Sequence, residues 1–368
     1  MKVVQFVPSL DSGGVEQGVI EIAKALVEDN HESHAVSSGG RLVDDLISSG
    51  SHHHKWDLGK KSLLNLRLIK PLRNWIVSTQ PDIIHVRSRM PAWLVWKALN
   101  GIPQSQRPQL VSTVHGLHSV NFYSRVMTKP HNIIAVSQSS KNYIIDNYTK
   151  SENKNIKLIY RGVDSSNYNK DYAPSDKWLS DWYEQYPETK SAKLLTISGR
   201  ISPLKDIEKI IHLAKSIKDN SSHNFKILIA GEAQNKHLKY LKNLKNTIKY
   251  LGLSEDIYFL NFRKDIKDIY AISSLAFNTS NKPESFGRSV LEPLSMGVPT
   301  IGYNRGGVKE ILDELYPFGG VTPGSDEQLL NKTLCILDGN EANIKTNTKF
   351  ITSKMCSETL GFYKEILS

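Results

Sequence analysis

Cysteine is nearly absent from this 368-residue sequence, which contains only Cys335 and Cys356. Two cysteines are too few for a disulfide framework, and they do not have the spacing of metal ligands. Apolar runs are also short, well below the roughly 18–20 residues that cross a bilayer. Residues 1–8 are too few for a signal peptide and predict a strand. These absences predict a protein of the reducing cytoplasm.

Several motifs that hold nucleotides or metals are missing as well. The sequence contains neither Gly-x-Gly-x-x-Gly nor a Walker loop, which makes a nicotinamide dehydrogenase a poor interpretation. It also lacks Asp-x-Asp. The run His52-His53-His54 points its side chains in different directions and has no matching carboxylate or cysteine cluster, so we interpret it as structural or solvated. We therefore expect neither a metal site nor a cofactor.

Positive charge is in excess, with 47 Lys and Arg against 37 Asp and Glu and a net charge of +10. A surface of that sign favours anionic partners such as nucleic acid, acidic lipid or phosphorylated ligands. Residues 60–75 mix basic and apolar side chains in the manner of a helix that lies on an anionic membrane. An ordinary helix that covers a sheet has the same pattern, so both interpretations stay open.

Short β-branched runs alternate with helix-period segments, which predicts parallel sheets with helical crossovers. A polar, aromatic stretch over residues 161–191 interrupts this alternation. We therefore predict two doubly wound α/β domains, residues 1–175 and 176–368. The predicted strands are residues 3–7, 33–36, 82–86, 110–114, 133–136 and 156–160 in the first domain, and 193–198, 225–230, 257–260, 275–278 and 299–302 in the second.

Ligands of such sheets bind at the carboxyl ends of the strands, so residues that follow strands are the candidates. Gly13 and Gly14 follow the first strand and open a helix, where backbone amides approach an anion; a plain tight turn explains them equally well. Arg200 and Lys205 follow the strand at 193–198 and suit a diphosphate, with unpaired surface cations as the alternative.

Two glutamates, Glu284 and Glu292, lie beyond the strand at 275–278. The residues between them include Ser285, Phe286, Gly287 and Arg288, whose amides can face an anion. One interpretation is a sugar or ribose site. The other is a helix N-terminus with acids placed favourably near its dipole.

Other candidates lie after strands of the first domain. His115 is either functional or a hydrogen-bonded structural residue. Arg87 and Arg89 suit a phosphorylated or anionic acceptor, although ordinary surface arginines are an equal interpretation, and the same holds for His118 and Arg125.

Together these motifs resemble the retaining glycosyltransferases of family 4, also called glycosyl transferases group 1, which have the GT-B fold. The paired glutamates with seven residues between them, Phe286-Gly287 and residues 295–299 match the family's pattern, and Gly13-Gly14, Arg200 with Lys205, and residues 113–116 and 135–137 correspond in order. Residues 87–93 and 121–125 further resemble a bacterial subset that assembles lipopolysaccharide or other surface polysaccharides. Three residues depart from the common pattern: Arg161, Arg288 and Pro293.

The resemblance implies two Rossmann-like domains around a cleft and transfer of a sugar from a nucleotide-sugar, most often a UDP-sugar, to a glycan or glycolipid. It assigns Glu292 to the donor ribose, Glu284 and His115 to the transferred sugar, and Arg200 with Lys205 to the diphosphate. Gly13, Gly14 and the amides from Ser285 to Arg288 would hold phosphate or sugar. The last helix would pack back across the cleft, and the enzyme would work at the cytoplasmic face of the inner membrane.

Charge alone suggests how such a transfer would proceed. Arg200, Lys205 and helix amides form a fixed cationic environment, so we predict transfer without a metal. The resemblance favours retention through attack on the same face, with no enzyme nucleophile. A nucleotide-sugar 2-epimerase or a phosphorylase on the same fold remains an alternative, and so does a non-enzymatic basic protein that binds nucleic acid or membrane; we expect no nucleic acid as partner.

Overall fold

The computed structural model describes residues 1–11, 13–60, 62–148, 153–340 and 342–368. Its packing divides the chain into two units. The first consists of Met1–Arg161 together with Thr352–Ser368, and the second of Gly162–Ile351. Each unit is a parallel β-sheet with helices packed on it.

The strands of the described residues are numbered in chain order. They are β1 (Lys2–Phe6), β2 (Glu32–Ser37), β3 (His52–Lys55), β4 (Ile83–Val86), β5 (Gln109–Val114), β6 (Asn132–Ala135), β7 (Asn155–Leu158), β8 (Lys193–Ser198), β9 (Phe225–Ala230), β10 (Ile257–Asn261), β11 (Leu275–Asn278), β12 (Thr300–Tyr303) and β13 (Gly320–Val321).

The α-helices of the same residues are α1 (Gly14–Glu28), α2 (Val43–Ser48), α3 (Ile69–Thr79), α4 (Arg89–Leu99), α5 (Gln138–Tyr148), α6 (Asp176–Gln185), α7 (Ile207–Asn220), α8 (Leu238–Tyr250), α9 (Ile266–Ala271), α10 (Arg288–Ser295), α11 (Gly306–Leu315), α12 (Asp326–Leu337) and α13 (Thr352–Leu367). Short 3₁₀ helices occupy Leu63–Leu68, Gln104–Gln106, Ser124–Thr128, Pro187–Thr189, Asn235–His237 and Pro317–Gly319.

The first sheet has the order β3-β2-β1-β4-β5-β6-β7, with every pair parallel. Strand β1 lies between β2 and β4, with Val4 paired to His34 on one side and Ile84 on the other. The strand order therefore reverses at β1, which is where parallel sheets open a crevice at their carboxyl ends.

The second sheet repeats this arrangement with the order β10-β9-β8-β11-β12-β13. Strand β8 lies between β9 and β11, so the loops that follow β8 and β11 meet at the point of reversal. Its core contains Leu195, Ile227 and Phe277 from the sheet, and Ile210 and Ile217 from α7.

The C-terminal helix α13 belongs to the first unit. Its buried side chains Met355, Leu360 and Phe362 pack with Val111 and Ile134 of the sheet. Apolar residues at helical spacing explain this, because they form one face that must be covered.

The observed units differ from the predicted domain boundaries. Residues 162–175 pack with the second unit, and the backbone amide of Val163 donates to the carbonyl of Phe350 at 3.1 Å. Residues 352–368 pack with the first unit, as expected of the last helix, although the predicted boundary had counted them in the second domain. The predicted boundary marked a change in composition, whereas long-range packing decides the unit to which each segment belongs.

Two strands were missing from the sequence prediction, β3 and β13. Strand β3 is the histidine run, in which His52 pairs with His34 of β2, so these residues form an edge strand. Strand β13 has only two residues, Gly320 and Val321. Neither segment has the apolar run by which the other strands were predicted.

The basic segment at residues 60–75 forms the 3₁₀ helix Leu63–Leu68 and the first half of α3, with Lys61 outside the described residues. Leu72 of α3 is buried in the first core, as expected of a helix that covers a sheet. Leu64 and Leu66 are exposed. Within the described residues, no helix is long and apolar enough to cross a membrane.

Candidate active site

The loops that follow β8 and β11 bring a lysine and a glutamate together. Nζ of Lys205 lies 2.7 Å from Oε1 of Glu284, and both side chains are about one-fifth exposed. The two residues are far apart in the chain, and the reversal of strand order at β8 places their loops side by side. The pair therefore lies where a parallel sheet binds its ligand.

Glu284 is held by two further donors. Oγ of Ser280 and Nδ2 of Asn278 donate to its Oε1 at 2.5 Å and 3.1 Å. Burial raises the pKa of this carboxyl, but the charge of Lys205 and the hydrogen bonds outweigh burial, so the pKa lies below its ordinary value. Glu284 is thus a fixed carboxylate whose Oε1 already accepts three hydrogen bonds.

Backbone contacts fix the two loops to each other. The amide of Asn281 donates to the carbonyl of Leu204 at 2.7 Å, and its side chain donates to the carbonyl of Pro203 at 2.8 Å. Asp206 has a left-handed backbone with φ of 49° and precedes α7. Lys205 therefore stands on a constrained turn instead of a free loop.

A third loop, after β12, packs against the glutamate loop. The amide of Gly307 donates to the carbonyl of Glu284 at 2.8 Å, and Nη2 of Arg305 donates to the carbonyl of Ser280 at 2.6 Å. A Cβ at Gly306 would lie 2.5 Å from the Glu284 carbonyl oxygen, and one at Gly307 would lie 2.4 Å from Cα of Phe286. Only glycine permits this approach of the two backbones.

Arg288 and Glu292 form an ion pair in α10. Nε of Arg288 donates to Oε1 of Glu292 at 2.8 Å, with only 12% of the glutamate side chain exposed. Near them, Oγ of Ser198 lies 2.5 Å from the hydroxyl of the buried Tyr270. Burial and the charge of Glu292 both raise the pKa of Tyr270, so this hydroxyl stays protonated.

In the first unit, the loop after β1 leads into α1. Gly13 precedes the helix with φ of 144°, and the amide of Gln17 donates to its carbonyl at 3.0 Å. Nη2 of Arg161 donates to the carbonyl of Gly14 at 2.5 Å and lies 3.6 Å from Oε2 of Glu21. The start of α1 is thus tied to a buried arginine from the chain segment after β7.

His115 follows β5, close to two arginines. Burial lowers its pKa well below the ordinary value, and the charges of Arg161 and Arg87 lower it further. The ring is therefore neutral, and it can accept or donate one hydrogen bond without carrying charge.

Family models match both units. Residues 180–351 match the model described as "Glycosyl transferases group 1", and residues 12–167 match that of "Glycosyltransferase Family 4". The first match includes the Lys205–Glu284 pair and the second includes the loop before α1. The chain belongs to the group 1 glycosyltransferases.

Relatives of this glycosyltransferase support the assignment along nearly the whole chain. N-acetyl-alpha-D-glucosaminyl L-malate synthase of Bacillus anthracis is 24% identical over 98% of this chain and 95% of its own length. The O-antigen biosynthesis glycosyltransferase WclY of Escherichia coli is 25% identical over 50% of this chain and 46% of its own length. A crystal structure of Anabaena HepE in complex with UDP and glucose superposes with a TM-score of 0.81 at 23% identity, covering 99% of this chain and 100% of that one. The fold is GT-B.

The structure gathers some of the predicted donor-site residues of this glycosyltransferase and separates others. Lys205 and Glu284 are in contact, whereas the Arg200 side chain is exposed. Phe286 is buried with its ring centroid 5.8 Å from that of Phe350, so its side chain is a core residue and only its backbone is available to a ligand. Gly287 has φ of 120° and precedes α10.

The predicted acceptor-side residues divide into a buried arginine and a surface group. Arg87 is only 5% exposed, so its interpretation as an ordinary surface arginine was wrong. Arg89 donates to Oγ of Ser124 at 3.1 Å and lies over the ring of Tyr123, and Arg125 is exposed. His118 is half-buried, and burial with the charge of Arg89 lowers its pKa to about 4.

Some site residues escaped the sequence prediction. Arg305, Gly306 and Gly307 organise the glutamate loop, and the glycine pair that follows the predicted strand at 299–302 is a signal that could have found them. Tyr270 had no such signal, because a lone tyrosine in a helix is most often a core residue. Among the residues that the structure describes, no group of three His, Cys, Asp or Glu side chains is arranged to hold a metal ion.

Proposed function

We propose that this glycosyltransferase moves a sugar from a UDP-sugar to a hydroxyl of a cell-surface glycan or glycolipid with retention of the anomeric configuration. The observation that carries the proposal is the Lys205–Glu284 pair at the strand reversal of the second unit. In this pair, a cation that could bind phosphate lies in contact with a carboxylate that could bind sugar hydroxyls. The solved relative that contains UDP and glucose supports the choice of donor.

Departure of the diphosphate is the step that most needs the protein. Negative charge grows on the leaving oxygen as the sugar–phosphate bond breaks, and cations placed in advance stabilise that charge. Lys205 is partly buried and held by Glu284, so it needs little reorganisation. The exposed Arg200 lies on the same loop and would approach the diphosphate with its fork of donors. These two residues would do the work of a metal ion.

The remaining donor contacts would be shared between two carboxylates. Glu284 would accept hydrogen bonds from the hydroxyls of the transferred sugar, and Glu292 from the ribose. Arg288 already pairs with Glu292 at 2.8 Å, so it would orient that carboxylate or exchange the pair for a phosphate oxygen. The amides of Ser285, Phe286 and Gly287, at the start of α10, would face the phosphate.

The state of Glu284 supports a retaining transfer that forms no covalent bond to the enzyme. Its Oε1 accepts three hydrogen bonds and its pKa is lowered, which suits a carboxylate that binds hydroxyls and not one that attacks a carbon. The acceptor would then attack from the face that the diphosphate leaves, and a departing phosphate oxygen would take its proton. The neutral His115 would contact the sugar from the first unit.

The acceptor is the least specified part of the reaction. One relative is named for O-antigen biosynthesis, which supports a surface glycan. A relative that matches nearly the whole chain is named for L-malate, so small hydroxy acids belong in the same assay. Exposed Leu64 and Leu66 beside the basic residues of segment 60–75 support action at the cytoplasmic face of an anionic membrane.

A donor panel tests this function directly. UDP-sugars, GDP-sugars and ADP-sugars are titrated calorimetrically, and released nucleoside diphosphate is then measured with lipopolysaccharide fragments and hydroxy acids as acceptors. We expect a UDP-sugar to bind and UDP release to require an acceptor. Conversion of the donor to an epimer without acceptor would indicate an epimerase, and a requirement for phosphate would indicate a phosphorylase.

A further inference from the structure

The first unit contains a small polar pocket at the carboxyl ends of β4 and β5. Its cavity volume is about 20 Å³. The residues that line it include Ile22 of α1, Thr359 of α13, His85, Arg87, His115 and Arg161. Two arginines therefore line the same pocket, and α1 and α13 contribute the remaining side of its wall.

The charges around this pocket do not balance. Arg87 is 5% exposed and Arg161 is 6% exposed, so both guanidinium groups are buried. The carboxylate near them is Glu21, whose Oε2 lies 3.6 Å from Nη2 of Arg161. Burial lowers the pKa of both His85 and His115 well below the ordinary value, so neither adds a charge.

The other titratable groups packed against the pocket are neutral as well. Burial raises the pKa of the Cys356 thiol to about 12, and burial also raises that of the Tyr363 hydroxyl. The hydroxyl oxygen of Tyr363 lies 2.5 Å from Nδ1 of His85 and also hydrogen-bonds the Arg87 side chain, but a neutral hydroxyl brings that arginine no negative charge. Two buried positive charges thus face one negative charge among the described residues.

The unpaired donors of Arg87 indicate where a second negative charge would bind. Its Nε and Nη2 atoms are buried and have no hydrogen-bond partner among the residues that the structure describes. A buried donor without a partner has lost its hydrogen bonds to water and gained none in the protein, which is unfavourable, and more so when the donor is charged. Water can satisfy the donors but cannot neutralise the charge, whereas a carboxylate or phosphate oxygen does both.

We propose that this pocket binds a carboxylate or phosphate group between the guanidinium groups of Arg87 and Arg161. Gly18 helps to form the site, because a Cβ there would lie 2.6 Å from the terminal nitrogens of Arg161. If the proposed glycosyl transfer is correct, on which this second step rests, the anionic group belongs to the acceptor. The donor diphosphate already has Lys205 and Arg200 in the other unit.

The first test measures binding of the anions alone. Inorganic phosphate and acetate are titrated calorimetrically into the full chain, its Arg87→Met and Arg87→Lys variants and a Lys24→Met control, at constant ionic strength. Lys24 is an exposed residue of α1, so its variant removes the same charge from the outer face of that helix. UDP is titrated in parallel to show that each variant is folded and that the donor site works.

We expect at least one of the two anions to bind the wild-type chain. Its Kd should rise at least tenfold in Arg87→Met, rise less in Arg87→Lys, which keeps the charge but loses the fork, and change less than threefold in Lys24→Met. The anion that binds more tightly identifies the group as phosphate or carboxylate. The proposal is overturned if neither anion binds, or if Arg87→Met binds as wild type does. Should Arg87→Met fail to fold, the Arg87→Lys comparison decides.

The second test concerns the acceptor and uses the wild-type donor assay. Hydroxy acids and sugar phosphates are compared with neutral methyl glycosides as acceptors. We expect a charged acceptor to be used, with KM raised at least tenfold in Arg87→Met while the Kd for UDP stays the same. Use of neutral acceptors alone would overturn the assignment to the acceptor. Failure of UDP-sugar binding would instead refute the proposed function and leave the anion titrations valid.

Discussion

Gly18 lies beneath the guanidinium group of Arg161, so any larger side chain at position 18 would have to displace that arginine. A Cβ at position 18 would come within 2.6 Å of both terminal nitrogens of that arginine. Arg161 in turn donates to the carbonyl of Gly14 and faces Glu21. A glycine inside α1 therefore makes room for an arginine from another part of the chain that crosses the helix there.

Replacing this glycine should destabilise the protein, although alanine favours helices. Gly18→Ala forces Arg161 to move and should lower the free energy of unfolding by about 1–3 kcal/mol. Gly361→Ala is the matched control, since Gly361 also lies in a helix and nothing lies within 4 Å of its Cβ position. That control should gain roughly 0.5–1 kcal/mol. Urea unfolding measures both, and equal stabilisation of the two variants would contradict the contact.

Loss of Lys205 should affect both the rate and its pH dependence. Lys205→Met removes the cation from the leaving diphosphate, so kcat/KM should fall roughly 10²–10³-fold. Burial then acts on Glu284 without its opposing charge, so the pKa of Glu284 rises and the acid limb of the pH–rate profile moves to higher pH. Lys209→Met, which removes an ion pair between α7 and Asp326 of α12, should change kcat/KM less than threefold.

Chelation should leave transfer unaffected. If Arg200 and Lys205 stabilise the diphosphate without a metal, the initial rate in excess EDTA equals the rate without it. The control is addition of Mg²⁺ or Mn²⁺ to the chelated enzyme, which should not change the rate. A rate abolished by EDTA and restored by either cation would refute metal-independent transfer.

The histidines of β2 and β3 should make stability depend on pH. His34 lies 2.9 Å from His54, both rings are stacked, and burial lowers the pKa of each, as it does that of His53. The unfolded chain, with histidine pKa values near 6.5, then binds more protons than the folded chain. This contribution to stability is present above about pH 6.5 and is lost as pH falls towards the lowered folded values.

A histidine variant isolates this effect. In His34→Gln the slope of unfolding free energy against pH between pH 5 and 7 should become smaller than in wild type, as measured by urea unfolding at each pH. His131→Gln, at an exposed position, serves as the control and should keep the wild-type slope. An unchanged slope in His34→Gln would exclude the histidine stack as the source.

The sequence predicts the strands that are buried, because apolar runs such as those of β4 and β9 produce a clear local signal. It does not predict β3, where three histidines pair with β2 and one of them packs on Trp75. Those contacts are made with distant parts of the chain, so the local pattern of hydrophobic residues does not predict them.

In the candidate site, too, some features were predictable from the local sequence and others depended on distant contacts. Lys205 and Glu284 were predictable because each follows a strand, and parallel strands bring such residues to one edge. The burial of Arg87 was not predictable, since an arginine after a strand is usually exposed. The role of Phe286 also depended on a partner, Phe350, that lies far along the chain.

The placement of α13 has a consequence for biosynthesis. A ribosome completes the first sheet early, yet the helix that covers Val111 and Ile134 emerges only after the whole second unit. Nascent chains must therefore hold an uncovered apolar surface while the whole contiguous second unit is translated and folds. Premature termination anywhere in the final helix would leave that surface open, making such products targets for chaperones and proteases even though their proposed donor residues are intact.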